Sequence, residues 1–166
     1  MQLLRSSTVP DRTAYVDALH LLGRRELSVQ QLRERLLDRE HAREDVDRAI
    51  DLLIENKALD DARVAGAYVR TALKVKGRGR LRIQRELQMM GIAKDVAAEA
   101  LAEAFGEVDE RALIAKALQK KLRGNQKIAS PAEYARVFQF LMRQGFSPAT
   151  VTAVLRRHRK GGDPLE

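Results

Sequence analysis

The sequence predicts an all-α protein, a tandem array of three three-helix units, and three observations carry that prediction. Apolar residues recur at helical and not alternating spacing along most of the chain. Capping signatures and glycines punctuate these runs at short intervals. The pattern also returns with a fixed period: Leu32, Ile83 and Tyr134 stand 51 residues apart, and so do Leu36, Leu87 and Phe138. The period slips in the third round, where Val46, Val96 and Val151 are 50 and then 55 apart, which reads as a loose insertion ahead of or within the last helix. A helical hairpin cannot bury its apolar face alone, so neighbouring units are expected to stack into an elongated modular array whose curvature and hand the sequence leaves open. The expected boundaries are 11–58, 59–106 and 107–160, the second and third units being basic.

Each helix has its own warrant. After Pro10, the positions Ala14, Val16, Ala18, Leu19, Leu21 and Leu22 fit one broad helical face. Ser28 with Gln31 makes a capping box ahead of Val29, Leu32, Leu36 and Leu37. Val46, Ala49, Ile50, Leu53 and Ile54 mark a third helix, with Glu44, Asp45 and Asp47 near its positive end. Asp60 or Asp61 caps a fourth, carrying Val64, Ala65, Tyr68, Val69 and Ala72, which Gly77 and Gly79 break. A fifth carries Leu81, Ile83, Leu87 and Met90 and ends at Gly91; a sixth carries Val96, Ala97, Ala100, Leu101 and Ala104 up to Gly106. The seventh begins at Asp109 with Leu113, Ile114, Ala117, Leu118 and Leu122. The eighth opens on Ser130, Pro131 and Glu133 as a second capping box and runs to Gly145, and the ninth opens at Ser147 and Pro148 with Val151, Val154 and Leu155.

Composition narrows the function classes. The chain has no cysteine, which excludes disulfides, thiolate nucleophiles and thiolate metal sites. Four Phe, three Tyr and no Trp leave a core of Leu, Val, Ile and Ala. No long uncharged apolar run and no signal-peptide centre is present, so a soluble cytoplasmic protein with no membrane role is expected. His20, His41 and His158 show no metal-ligand spacing. His20 reads as a satisfied or edge-exposed side chain, and His158 as part of a ragged basic C-terminus. Gly77 and Gly79 lack the lysine-serine end of a phosphate loop, and acid pairs such as Asp60 and Asp61 sit where first-turn acids stabilise a helix. No catalytic residue, metal or cofactor is expected, and an enzyme is not.

Charge is the positive finding. The net charge of +8 hides a net −2 over residues 1–69 and +10 over 70–166. Between Arg70 and Met90 stand Arg70, Lys74, Lys76, Arg78, Arg80, Arg82 and Arg85 against the single acid Glu86. Between Arg111 and Lys127 there is no acid at all, and Lys116, Lys120, Lys121 and Arg123 form the second cluster of candidate contact residues. Such surfaces attract polyanions or an acidic protein groove, or serve as solvated faces. The turns at 76–80 and 123–127 read either as ordinary connections or as anion-contacting loops. Arg80, Arg82, Gln84 and Arg85 lie on the polar side of the fifth helix, from which only phosphate contacts follow. Tyr15, Tyr68 and Tyr134 fall on or beside apolar faces and read as core.

Three stretches together resemble the RecX family of bacterial regulatory proteins: Ala18 to Arg25 running into Ser28 to Leu36, then Leu59 to Ala65 with Tyr68, Val69 and Arg70, then Gly79 to Gly91. The resemblance spans roughly residues 13–158 and is weakest in the third unit. It implies a modular fold of tandem three-helix units. It also implies binding to the RecA recombinase, free and in its filament on single-stranded DNA, with lowered ATP hydrolysis, strand exchange and co-protease activity, hence a place in DNA repair, recombination and the SOS response. It brings no catalytic residue. Whether such a protein caps, disassembles or sequesters stays open, as does direct contact with single- or double-stranded DNA phosphates; a monomer is expected. The alternative is a stand-alone DNA-binding protein using a helix of the basic middle unit. Two departures stand out. The family usually has a glycine before Leu59, where this chain has Glu55, Asn56, Lys57 and Ala58, so Asn56 is expected to take the left-handed conformation. An aromatic is common where Val64 stands, which predicts looser packing there.

Overall fold

The computed structural model describes residues 12–122 and 127–159, and among these every regular element is helical. The helices are α1 (Arg12–Leu22), α2 (Val29–Leu37), α3 (Arg43–Glu55), α4 (Asp61–Lys74), α5 (Arg80–Met89), α6 (Lys94–Phe105), α7 (Glu110–Leu122), α8 (Pro131–Gln144) and α9 (Pro148–His158). They group as three tandem three-helix modules. Two compact units result: one holds the chain to Ala65 together with Leu87–Ala97, the other Gly66–Glu86 and the chain from Ala98. Helices α4, α5 and α6 contribute residues to both.

In the first unit α1, α2 and α3 pack on one another around Ala18, Leu21, Leu27, Leu32, Leu36, Val46, Ile50, Leu53 and Leu59. Four residues that the pattern placed on core faces, Val16, Leu19, Ile54 and, in α5, Leu81, are exposed. The face each helix buries is narrower than its apolar content because small residues, Ala14, Ala18 and Ala49, hold the close contacts. Val64 is buried despite the missing aromatic.

Ser28 caps α2 with the full box: its hydroxyl accepts from the Gln31 amide and the Gln31 side chain accepts from the Ser28 amide. That hydroxyl also donates to the Met90 carbonyl at the end of α5. Gly91 follows with φ 74°, and a Cβ there would fall 2.4 Å from the Cβ of Gln30. Glycine is required both by the left-handed backbone and by the approach to α2. The ambiguity between the two aspartates is resolved by division of labour. Asp60 caps α4 by accepting from the amides of Ala62 and Arg63, whereas Asp61 accepts from the Val29 amide at 2.8 Å and so serves the first turn of α2.

The turn before Leu59 departs from expectation. Asn56 has φ −85°, and it is Lys57 that takes the left-handed conformation, at φ 60°. The Asn56 carboxamide oxygen is occupied in accepting from the Ala58 amide at 3.0 Å, an Asx-type turn that passes the positive φ to the next residue.

In the second unit α7, α8 and α9 enclose Ile114, Leu118, Ile128, Val137, Leu141, Phe146, Val151, Val154 and Leu155. Ser130 caps α8, but the box is not closed as expected: Glu133 accepts from the amide of Ala129, one residue earlier than the cap. Helix α8 has 14 residues against 10 in α5, so the slip in the period is ordered helix and not a loose insertion. The end of α9 is also more ordered than a ragged tail. The Ile128 amide donates to the His158 carbonyl at 2.8 Å, and a His158 ring nitrogen lies 2.9 Å from the Val154 carbonyl.

The carbonyls at the end of α8 meet the start of α5. Gly79 and Leu81 amides donate to the carbonyls of Gln144 and Gly145, and the Arg82 guanidinium donates to Arg143. Gly145, at φ 89°, leaves no room for a side chain: a Cβ would sit 2.3 Å from that of Arg82. The donors left over at one helix N-terminus thus satisfy the acceptors left over at another helix C-terminus.

Candidate functional site

The two basic clusters, remote in sequence, share a cleft in the second unit. Lys74 closes α4 and Lys76 follows it; Lys116 and Lys120 lie one turn apart on α7. All four line a cleft of about 430 Å³ whose apolar walls include Leu73, Val108, Leu113 and Phe140. These lysines are exposed and make no ion pair among the described residues. Lys74 and Lys120 also sit in last helical turns, where a cation complements the helix dipole. None of the described residues lining the cleft is acidic.

The remaining candidates divide by what they touch. Arg78 and Arg82 both pair with Glu86: an Arg78 terminal nitrogen lies 2.7 Å from one carboxylate oxygen and the Arg82 Nε 3.0 Å from the other. The Tyr68 hydroxyl donates to Glu86 at 2.8 Å and accepts from Arg78 at 3.1 Å. Tyr68 therefore bonds an ionised network with its hydroxyl, besides any apolar contact of its ring. Burial alone would raise the Glu86 carboxyl, but the Tyr68 hydroxyl and the Arg82 and Arg78 guanidinium groups more than offset it and hold it below the usual glutamate value. Burial, then the neighbouring Glu86, pushes the Tyr68 phenol up.

Arg80 lies over the Phe105 ring at 4.9 Å and Lys121 over the Phe140 ring at 5.2 Å, each a cation-π contact. Arg70 and Arg85 are exposed on α4 and α5. Arg123 and most of the 123–127 turn lie outside the described residues. The structure thus brings Lys74, Lys76, Lys116 and Lys120 together and spends Arg78 and Arg82 on an internal network.

Two charged arrangements had no sequence signature. Arg63 reaches Glu26 through Nε and the carbonyls of Lys57 and Ala58 through its terminal nitrogens, fastening the turn before α4. His41 and Arg39, past α2, both reach Asp17 on α1, at 2.9 and 3.3 Å. The hydrogen bond from His41 is the leading cause that keeps Asp17 below the usual aspartate value, with Arg39 adding to it. Both tie a helix residue, Arg63 or Asp17, to turn residues distant along the chain. Among the described residues no group of three or more His, Asp or Glu is placed to hold a metal, and no helix is long and apolar enough to cross a membrane.

A chain of small helical modules is a protein of the helical-repeat class, and its second unit presents a lysine-rimmed apolar cleft. Models of the RecX family match it in order along the chain: the first three-helix domain over residues 14–53, the second over 60–101 and the third over 109–155. The regulatory protein RecX of Chromohalobacter salexigens is 37% identical over 131 residues, covering 78% of this chain and 82% of the relative. That of Halorhodospira halophila is 37% identical over 136 residues, covering 82% of each. The crystal structure of RecX from Lactobacillus salivarius matches with a TM-score of 0.69 at 18% identity, covering 87% of this chain and 94% of that one. A second crystal structure of a regulatory protein RecX matches at 0.72 and 25% identity, covering 86% and 70%. The chain belongs to the RecX family of regulatory proteins.

Proposed function

We propose that this protein regulates a RecA recombinase. It binds RecA, free and in its filament on single-stranded DNA, and lowers ATP hydrolysis, strand exchange and co-protease activity. The observation that carries the reading is the match of all three RecX domain models in order along the chain. The three domains, at 11–58, 59–106 and 107–160, act in the cytoplasm as parts of a monomer. Several weak contacts spread over them make binding multivalent, so affinity for a filament exceeds affinity for one subunit. The contact residues are Arg70, Lys74, Lys76, Arg80, Arg85, Lys116, Lys120, Lys121 and Arg123. Arg78 and Arg82 support that surface by neutralising Glu86. Independent DNA binding through α5 draws less support, because Arg82 on that helix is committed to Glu86 and to the Arg143 carbonyl.

The test is ATP hydrolysis by the cognate recombinase on single-stranded DNA, titrated with wild type and with Lys74, Arg85, Lys116 and Lys120 all changed to alanine. Inhibition by wild type below one molecule per recombinase subunit, lost in a variant that melts normally, is the expected result. No inhibition by either protein removes the regulatory reading.

A further inference from the structure

We infer that the cleft among α4, α6, α7 and α8 docks an acidic peptide segment of a protein partner, with a bulky apolar side chain of that segment seated in the cleft. This rests on the regulatory reading for the existence of a protein partner, and the chemistry comes from the cleft itself. Its volume of about 430 Å³ lies in the range of pockets that hold a compact ligand group. Leu73, Val108, Leu113 and Phe140 offer that group an apolar surface, and water leaving it favours a leucine or phenylalanine side chain. Val75, 75% exposed between Lys74 and Lys76, extends the apolar lip outward.

Charge complementarity fixes the flanks of the segment. Lys74, Lys76, Lys116 and Lys120 line the cleft, and among the described residues its lining holds no acid and these lysines make no ion pair. Lysines on flexible stems accommodate carboxylates at several positions along a peptide. A nucleic acid strand matches less well. Its phosphates would meet the lysines, but bases seek open aromatic faces. Phe140 is the one aromatic among the described residues lining the cleft, and Lys121 lies over its ring.

The experiment uses the full chain and three fluorescent probes: a peptide of Asp and Glu with a central Leu-Phe pair, the same peptide with Ser-Ser in the centre, and single-stranded oligothymidylate. Ala117→Leu fills the cleft without changing a charge, and Lys116→Glu with Lys120→Glu reverses its rim. The Leu-Phe peptide should bind wild type about tenfold or more tighter than the Ser-Ser peptide. Ala117→Leu should erase that advantage, and the charge reversal should weaken both peptides. Equal binding of the two peptides overturns the inference, as does oligothymidylate binding that Ala117→Leu abolishes. Should Ala117→Leu not fold, Val75→Ser at the exposed lip takes its place and should cut the Leu-Phe advantage severalfold. Recombinase inhibition separates the two readings. Full inhibition by Ala117→Leu overturns the cleft inference and leaves the regulatory reading standing, whereas anchored-peptide binding by a wild type that never inhibits supports the cleft and removes the regulatory reading.

Discussion

The hydroxyl of Ser28 donates to the carbonyl of Met90, a partner 62 residues away, while accepting from the amide of Gln31 three residues on. One buried side chain thus starts α2 and fastens the end of α5 to it. Removing it leaves an amide and a carbonyl without that partner. Ser28→Ala should cost about 1–2 kcal/mol in urea unfolding. A loss within experimental error would show that the contact to Met90 contributes nothing.

Lys57 holds a left-handed backbone that glycine adopts without the steric cost of a Cβ. Lys57→Gly keeps the carbonyl that Arg63 binds and relieves the strain, so it should stabilise by about 0.5–1 kcal/mol. Asn56→Gly, at φ −85°, should destabilise by losing the bond to the Ala58 amide. Differential scanning calorimetry of the two variants checks the order; a lower melting temperature for Lys57→Gly contradicts it.

Glu86 has a folded-state pKa below its ordinary value, so its contribution is complete above that ordinary value and is lost as pH falls through the folded one. With both arginines partly exposed, Glu86→Gln should cost about 1 kcal/mol at neutral pH. Its deficit relative to wild type should shrink once pH drops below about 4. Thermal melts across acidic pH measure this, and a constant deficit would sink the account.

Asp61 has the opposite sign. Burial raises its carboxyl, only partly countered by the Val29 amide, so the folded state favours the protonated form and this contribution increases as pH falls toward the unfolded value. Asp61→Asn keeps an acceptor for Val29 without the buried charge and should match or exceed wild-type stability at neutral pH. Asp61→Ala, which leaves that amide without its acceptor, should lose about 1 kcal/mol. Equal stability of the two variants would refute the role given to this bond.

Arginines of the middle module should separate by assay. Arg85→Ala, exposed, should weaken recombinase inhibition severalfold with an unchanged melting temperature. Arg78→Ala should lower the melting temperature, because it strips Glu86 and Tyr68 of a partly buried partner. Identical behaviour in both assays would remove the distinction between contact and support.

The modular fold was legible because burial repeats: Leu32, Leu36, Ile83 and Leu87 occupy matching positions in the first two modules and are all inaccessible to solvent, whereas in α8 the buried positions are Val137 and Leu141, three residues beyond the half-buried Tyr134 and Phe138 that the 51-residue period picks out. Caps at Ser28, Ser130 and Ser147 were legible because they act over three residues. The Glu86 network was not, since Tyr68, Arg78 and Arg82 meet only after α4 and α5 have packed. Counting Glu86 as one acid against seven bases concealed that it holds two of them. The cleft was hidden for the same reason: Lys76 and Lys116 are forty residues apart along the chain, and only packing places both on its rim. Lys57 escaped because an Asx turn shifts the positive φ by one residue, a choice no propensity of Lys reveals.

The four additional residues of α8 make little more than one helical turn. Such an increment advances a helix end by about 6 Å while rotating it only about 40° past its starting direction. Growth in these steps leaves the inward stripe aimed at the same neighbours. A module of this kind can therefore be resized without recomposing its interior, and its reach is quantised by helical pitch.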